Sequence, residues 1–340
     1  LNTFIQNFRG SLFVAAVGLL VAFLWGGAAG LLTAAILGIL EVSLSFDNAV
    51  VNAKVLDKMS EGWRQAFLTV GMLIAVFGMR FLFPILTVAI AAGLPVAAVL
   101  TMAFSNPLEY ARNLHEAHSS ISAFGGTFLL MVFLKWAMDP DKDFHWIRPL
   151  EEKLAAIGKL DTIQAVIAGS VVLMMWKLAP AGQAVSILAS GLAGLLAFLL
   201  IDSLGELFGD PGEAVGESTM RAGLMGFIYL EVLDASFSFD GVIGAFAITR
   251  DVVIITIGLA IGAMFVRSLT IYLVKEGTLS EYVFLDHGAH YGIGTLAVLM
   301  LASILTPIPE VVTGLLGVGF ILAALWSSFQ HQKQEALAST

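Results

Sequence analysis

The sequence predicts an all-α, polytopic membrane protein of about ten transmembrane helices, arranged as an inverted repeat of three-helix units. Three observations carry that expectation. The 340 residues are 58% hydrophobic and only 13% charged, with a mean hydropathy of +0.91, whereas a soluble domain carries about 25% charged residues. Several runs reach the roughly 20 apolar residues that cross a bilayer. Third, an acidic element recurs inside two such runs: Glu41-Val-Ser-Leu-Ser-Phe-Asp47-Asn48, and Asp234-Ala-Ser-Phe-Ser-Phe-Asp240-Gly241.

Taken in order, Leu12–Trp25 makes a short first span, with a turn at Gly26-Gly27. The apolar start continues into further spans, so it reads as a transmembrane helix rather than a cleaved signal peptide. Ala28–Val55 is the second span and holds Glu41, Asp47 and Asn48. Phe67–Ala92 is the third, with Arg80 inside it and a bend expected at Pro84. The polar stretch after Leu94–Phe104, holding Asn106, His115 and His118, reads as interfacial or re-entrant. Ile121–Ala137 is the fourth span, and 138–159 is a long polar loop holding Lys142, Arg148, Lys153 and Lys159. Ile163–Leu178 and Val185–Ile201 are the fifth and sixth spans, followed by an acidic, glycine-rich loop over 202–219. Ala222–Ile248 is the seventh and carries Asp234 and Asp240. Val252–Val274, with Arg267 inside, is the eighth; Tyr291–Leu305 and Val311–Phe329 complete the set. A disordered tail is expected from His331. The corresponding segments are an N-terminal helix (1–27), a first repeat unit (28–137), a link with two helices (138–218), a second repeat unit (219–305) and a last helix with tail (306–340).

Three matches in the same order support the repeat. They are the acidic element, an arginine nine residues after a glycine (Gly71 and Arg80; Gly258 and Arg267), and a His-x-x-His before Gly-Thr (His115 and His118; His287 and His290). Spans two and seven, five apart, would cross in opposite directions, which makes the repeat inverted. Lys58, Arg64, the four basic residues of 138–159 and Lys275 then fall on one side, giving cytoplasmic N- and C-termini by the positive-inside rule.

Asp47 and Asp240 stand out because a carboxylate in hydrocarbon is costly. With Glu41, Asp234 and the amide of Asn48 they offer hard oxygen ligands suited to Mn²⁺ or Ca²⁺. The bland reading is a set of buried ion pairs with Arg80 and Arg267. Those arginines read as counter-ions or gates, or as an anion site. Four acids against two arginines favour a cation. The histidine pairs, at helical i,i+3 spacing, admit Zn²⁺, with Glu109, Glu116 or Asp286 as further ligands; ordinary interfacial histidines are the alternative. Asp202, at the end of a span, is a further conduit acid or simply a boundary residue. The absence of Cys excludes disulfides and thiolate metal sites, and a net charge of −9 argues against nucleic acid. No nucleotide-binding or protease motif is present, so an enzyme is not expected, nor a prosthetic group.

The segments 41–52 and 231–249 resemble the signature motifs of the TerC family of bacterial membrane proteins, named for tellurium resistance and including manganese exporters within the LysE-like superfamily. The resemblance implies export of Mn²⁺ across a bacterial inner membrane, with Asp47, Asn48 and Asp240 at the motif positions and Glu41 and Asp234 at the preceding acids. Gly241 departs from the pattern, standing where the first copy has Asn48. Protons are the expected counter-ion, and a homo-oligomer is left open. The alternatives are a membrane component of a tellurite or metal stress system, and an anion or small-solute exporter.

Overall fold

A computed structural model describes residues 2–142, 144–160, 162–208, 217–277 and 281–338; at a few helical positions, Asp240 among them, the side chain lies outside the description. These residues are helical almost throughout. The helices are α1 (Asn2–Leu44), α2 (Phe46–Asp57), α3 (Glu61–Ala66), α4 (Phe83–Ala92), α5 (Val96–Ser105), α6 (Pro107–Ala137) and α7 (Arg148–Gly158). They continue as α8 (Ile163–Leu178), α9 (Ala184–Phe208), α10 (Glu217–Ile248), α11 (Val252–Lys275), α12 (Leu285–Ser303) and α13 (Glu310–Ala338).

Five helical stretches among the described residues are long and apolar enough to cross a membrane: Asn7–Leu44, Glu61–Ile90, Pro107–Ala137, Ala184–Gly205 and Val252–Lys275. A sixth is reached if α7 and α8, bent by 100°, count as one. The expectation of ten spans is therefore corrected. The first expected span and most of the second belong to α1, the end of the second to α2, and the fourth to an α6 that also absorbs the stretch read as re-entrant. α8 has only 16 residues. α10 carries Glu231 and Asp234 at its centre, and α12 opens with Asp286, His287 and His290, so neither reads as an apolar span. The tail expected to be disordered from His331 continues as α13 to Ala338.

α1 is not straight. Gly27 has φ 63° and ψ −154°, a conformation open essentially to glycine alone. There the helix folds back, so that a Cβ on Gly30 would lie 2.6 Å from the Ala22 carbonyl oxygen. Both arms lie along α11. Ser11 bonds Met264 and Ser268 near its C-terminal end, whereas Gly26 and Gly30 meet Ile254 near its start, and Glu41 returns to Gly262. α11 itself starts sharply, because the Asp251 carboxylate caps the free N–H groups of Val253 and Ile254. α6 and α11 form the buried centre, while α1 turns Phe13, Leu24 and Trp25 outward, as a helix in lipid does.

The three-helix inverted repeat is also corrected, because each matched pair falls on different local structure. α1 ends at Leu44 and α2 begins at Phe46, the break falling on Ser45, whereas the Asp234–Asp240 element sits inside the uninterrupted α10. Arg80 lies in a π-helical stretch, Ile74–Leu82, but Arg267 lies in the regular helix α11. His115 and His118 are inside α6, whereas His287 and His290 open α12.

Candidate cation site

The site is assembled where the end of α1, α2, α10, α11 and the π-helical stretch converge. Pro84, with no N–H to donate and a ring that crowds the preceding turn, stands where the wide turn ends. The wider turn lets Arg80 Nη1 donate to the Ala75 carbonyl, five residues back, at 2.9 Å. The same guanidinium donates to Glu41 Oε1 at 2.6 Å and to Asp234 Oδ2 at 2.8 Å. Asn48 Nδ2 completes Asp234 by donating to its Oδ1 at 3.0 Å. Glu41, Arg80, Asp234 and Asn48 thus form one buried network. A second pair lies beside it: Arg267 Nη2 meets Glu231 Oε1 at 3.3 Å, its Nη1 donates to the Phe67 carbonyl, and its guanidinium covers the Phe67 ring. Gly71 makes room, since a Cβ there would come within 2.6 Å of Glu231 Oε1.

Asp47 stands apart from the arginines. It is buried, its Oδ1 accepts the Asn48 N–H at 2.9 Å, and no cationic side chain pairs with it among the described residues. Its Oδ2 faces Gly292 of α12 and Gly317 of α13. A small cavity of about 20 Å³ lies in front of it, lined by Glu41, Ser45, Asp47, Gly241, Gly292 and Thr313, with Leu44, Phe237 and Leu296 as apolar walls. Five of the expected site residues therefore meet here: Glu41, Asp47, Asn48, Asp234 and Arg80. The side chain of Asp240 lies outside the described residues, although its neighbour Gly241 lines the cavity. Among the described residues no group of three or more His, Asp or Glu is placed to hold a metal ion.

Glu231 was missed in the sequence, although it stands three residues before Asp234, one turn away on the same helical face. A larger cavity of about 800 Å³ lies beside α2, lined by Val51, Lys54, Lys58, Lys135, Asp202 and His290 among others. Asp202 pairs with Lys135 there. His115 and His118 stack on each other at 6.0 Å between ring centres, away from the acids.

His287 and His290 belong to another buried cluster, whose centre, Glu151 of α7, also went unread. Glu151 is fully buried; it accepts the Tyr291 hydroxyl at 2.9 Å and the Ile147 N–H at 3.1 Å, and faces Lys142 at 3.9 Å and His287 at 3.5 Å. Burial holds the Lys142 ammonium and the His287 ring below their ordinary pKa values. Lys142 also lies over the Trp136 ring, and His290 stacks on it from α12. Asp286 ties this cluster to α2 through Lys54 at 2.7 Å. Burial alone would raise the Asp286 carboxyl, but His290 and Lys54 hold it well below the usual carboxylate range.

Membrane-length helices around a buried charged centre define a multi-pass membrane protein of transporter-like architecture. Residues 46–335 match the family model described as "Protein of unknown function (DUF475)", and the chain belongs to that family. No curated protein matches the chain, and neither does any solved structure. The family match overturns membership of the TerC family: the likeness at 41–52 and 231–249 is confined to short acidic motifs, which any charged membrane helix can share.

Proposed function

We propose that this protein is a secondary transporter of a hard divalent cation, with Mn²⁺ the first ion to test. Asp47 and Glu41 are the ligands facing the cavity, with Ser45 and Thr313 beside them. Asp234 and Asn48 hold Arg80 in place, and Arg80 and Arg267 are counter-ions. One observation carries the reading: Asp47 is a buried carboxylate on a cavity, while Arg80 and Arg267 are bound to Glu41, Asp234 and Glu231. A charge left alone in such surroundings is too costly to keep, so Asp47 needs a cation or a proton. Exchange of the ion for protons follows, because a proton is the other way to neutralise Asp47 once the ion leaves. The occupied arginines speak against an anion site. The lysines lining the larger cavity support a cytoplasmic position for that end in a bacterial cell, by the positive-inside rule.

The test is equilibrium binding of Mn²⁺ to the purified protein, with flux in proteoliposomes under an imposed pH gradient. Saturable binding that Asp47→Asn abolishes, with flux that follows the gradient, is the expected result. Binding unchanged in Asp47→Asn sinks the site, and a protein that binds but moves no ion belongs instead to a stress-response complex without transport.

A further inference from the structure

We propose that Gly241 of α10 and Gly292 of α12 set the size of the ion accepted beside Asp47, so that the site prefers an Mn²⁺-like ion over both Ca²⁺ and Mg²⁺. The inference rests on the reading of Asp47 and Glu41 as cation ligands. A Cβ placed on Gly241 would lie 2.8 Å from Glu41 Oε2, and one on Gly292 would lie 3.1 Å from Asp47 Oδ2. Each glycine thus leaves bare the carboxylate oxygen that faces the cavity. Neither has a positive φ, so backbone conformation does not require glycine at either position. What the two glycines leave is space in front of two carboxylate oxygens, which a methyl group would push aside.

That space is small. A cavity of about 20 Å³ holds one water-sized body. An ion entering it sheds most of its shell, and the apolar walls Leu44, Phe237 and Leu296 offer no replacement for the lost waters. Mg²⁺ gives up water reluctantly, and Ca²⁺ asks for six to eight oxygens at about 2.3–2.6 Å. Both are disfavoured, for opposite reasons. A divalent ion of intermediate size that dehydrates more readily finds two carboxylates and the hydroxyl-bearing Ser45 and Thr313 lining the cavity.

The experiment compares Mn²⁺, Mg²⁺ and Ca²⁺ binding to the full-length wild-type protein, Gly241→Ala, Gly292→Ala and a packing control, Gly294→Ala. A Cβ on Gly294 would strike the Phe133 ring at 2.7 Å, away from the cavity, so that variant strains the same helix without touching the carboxylates. The wild type is expected to bind Mn²⁺ most tightly. Gly241→Ala and Gly292→Ala should each lose about tenfold in Mn²⁺ affinity and more for Ca²⁺, while Gly294→Ala keeps the wild-type ratios. Wild-type ion ratios in both cavity variants overturn the proposal. So does a wild type that binds the three ions equally, a result that stands even if the variants fail to fold. Failure of the underlying site is a separate outcome, read from Asp47→Asn retaining Mn²⁺.

Discussion

Two buried aspartates, Asp47 of α2 and Asp234 of α10, behave as different objects here. Asp234 is held by Arg80 and by Asn48; Asp47 accepts the Asn48 N–H on one oxygen, and a cavity lies before the other. Substituting asparagine at each position separates ligand from scaffold. Asp47→Asn should leave the thermal midpoint near that of the wild type, because no cationic partner is stranded. Asp234→Asn should lower stability by about 3–5 kcal/mol, the usual cost of removing one partner from a buried pair. Chemical unfolding in detergent reads both changes, and an equal loss in the two variants would place Asp47 in the ion-pair scaffold after all. The acids and Arg80 were legible because charge in an apolar run has few reasons to be there. Glu231 was equally visible but lacked a repeat partner to draw attention to it.

At the scale of elements, two local devices determine how the chain is laid out. Gly27 reverses α1, and alanine there would have to adopt a backbone conformation closed to it. Gly27→Ala should cost at least about 1–3 kcal/mol and separate the two arms, seen as loss of protection along residues 11–38 in hydrogen exchange. The Gly26-Gly27 pair announced a turn in the sequence, but not how closely the arms would return. The second device is the attachment of α7 to α12 through Glu151. His287, which faces Glu151, Lys142, Asp286 and the Phe144 carbonyl, favours its neutral form because burial penalises the charge. A depressed folded-state pKa means that the stabilisation is complete above the ordinary histidine value of about 6.5 and is lost as pH falls below it. Amide protection over residues 147–158 should therefore weaken between about pH 7.5 and pH 5.5. In Glu151→Ala it should be weak at both, since the Tyr291 hydroxyl and Lys142 lose their shared partner. Protection factors, corrected for the intrinsic pH dependence of exchange, that stay constant in the wild type would remove His287 from the attachment. Nothing in the local pattern of 138–159 separated a buried Glu151 from its exposed neighbour Glu152; only the tertiary contact does so.

For the whole molecule, the question is which end of the bundle faces the cytoplasm. Hydropathy recovered the helical class but overcounted the spans. A window average registers the apolar residues of α10 and α12, whereas their charged centres and ends are sheltered by other helices. The repeat failed for a related reason: matching residues do not report whether the backbone beneath them is broken, π-helical or regular. The charge distribution is the stronger guide. Lys275 reaches Asn7 near the N-terminus, Lys54 reaches Asp286, and Lys142 reaches Glu151 and the Trp136 ring. Arg112, near the start of α6, and Arg250, before α11, lie toward the opposite ends of their helices. Since the chain has no cysteine, single cysteines introduced at exposed positions report sidedness without a background. Glu152→Cys and Gly277→Cys should react with a membrane-impermeant maleimide only after the cells are opened, whereas Arg112→Cys and Arg250→Cys should react in intact cells. Reaction of Glu152→Cys from outside would invert the molecule. The larger cavity lined by Lys54, Lys58 and Lys135 would then lie away from the cytoplasm.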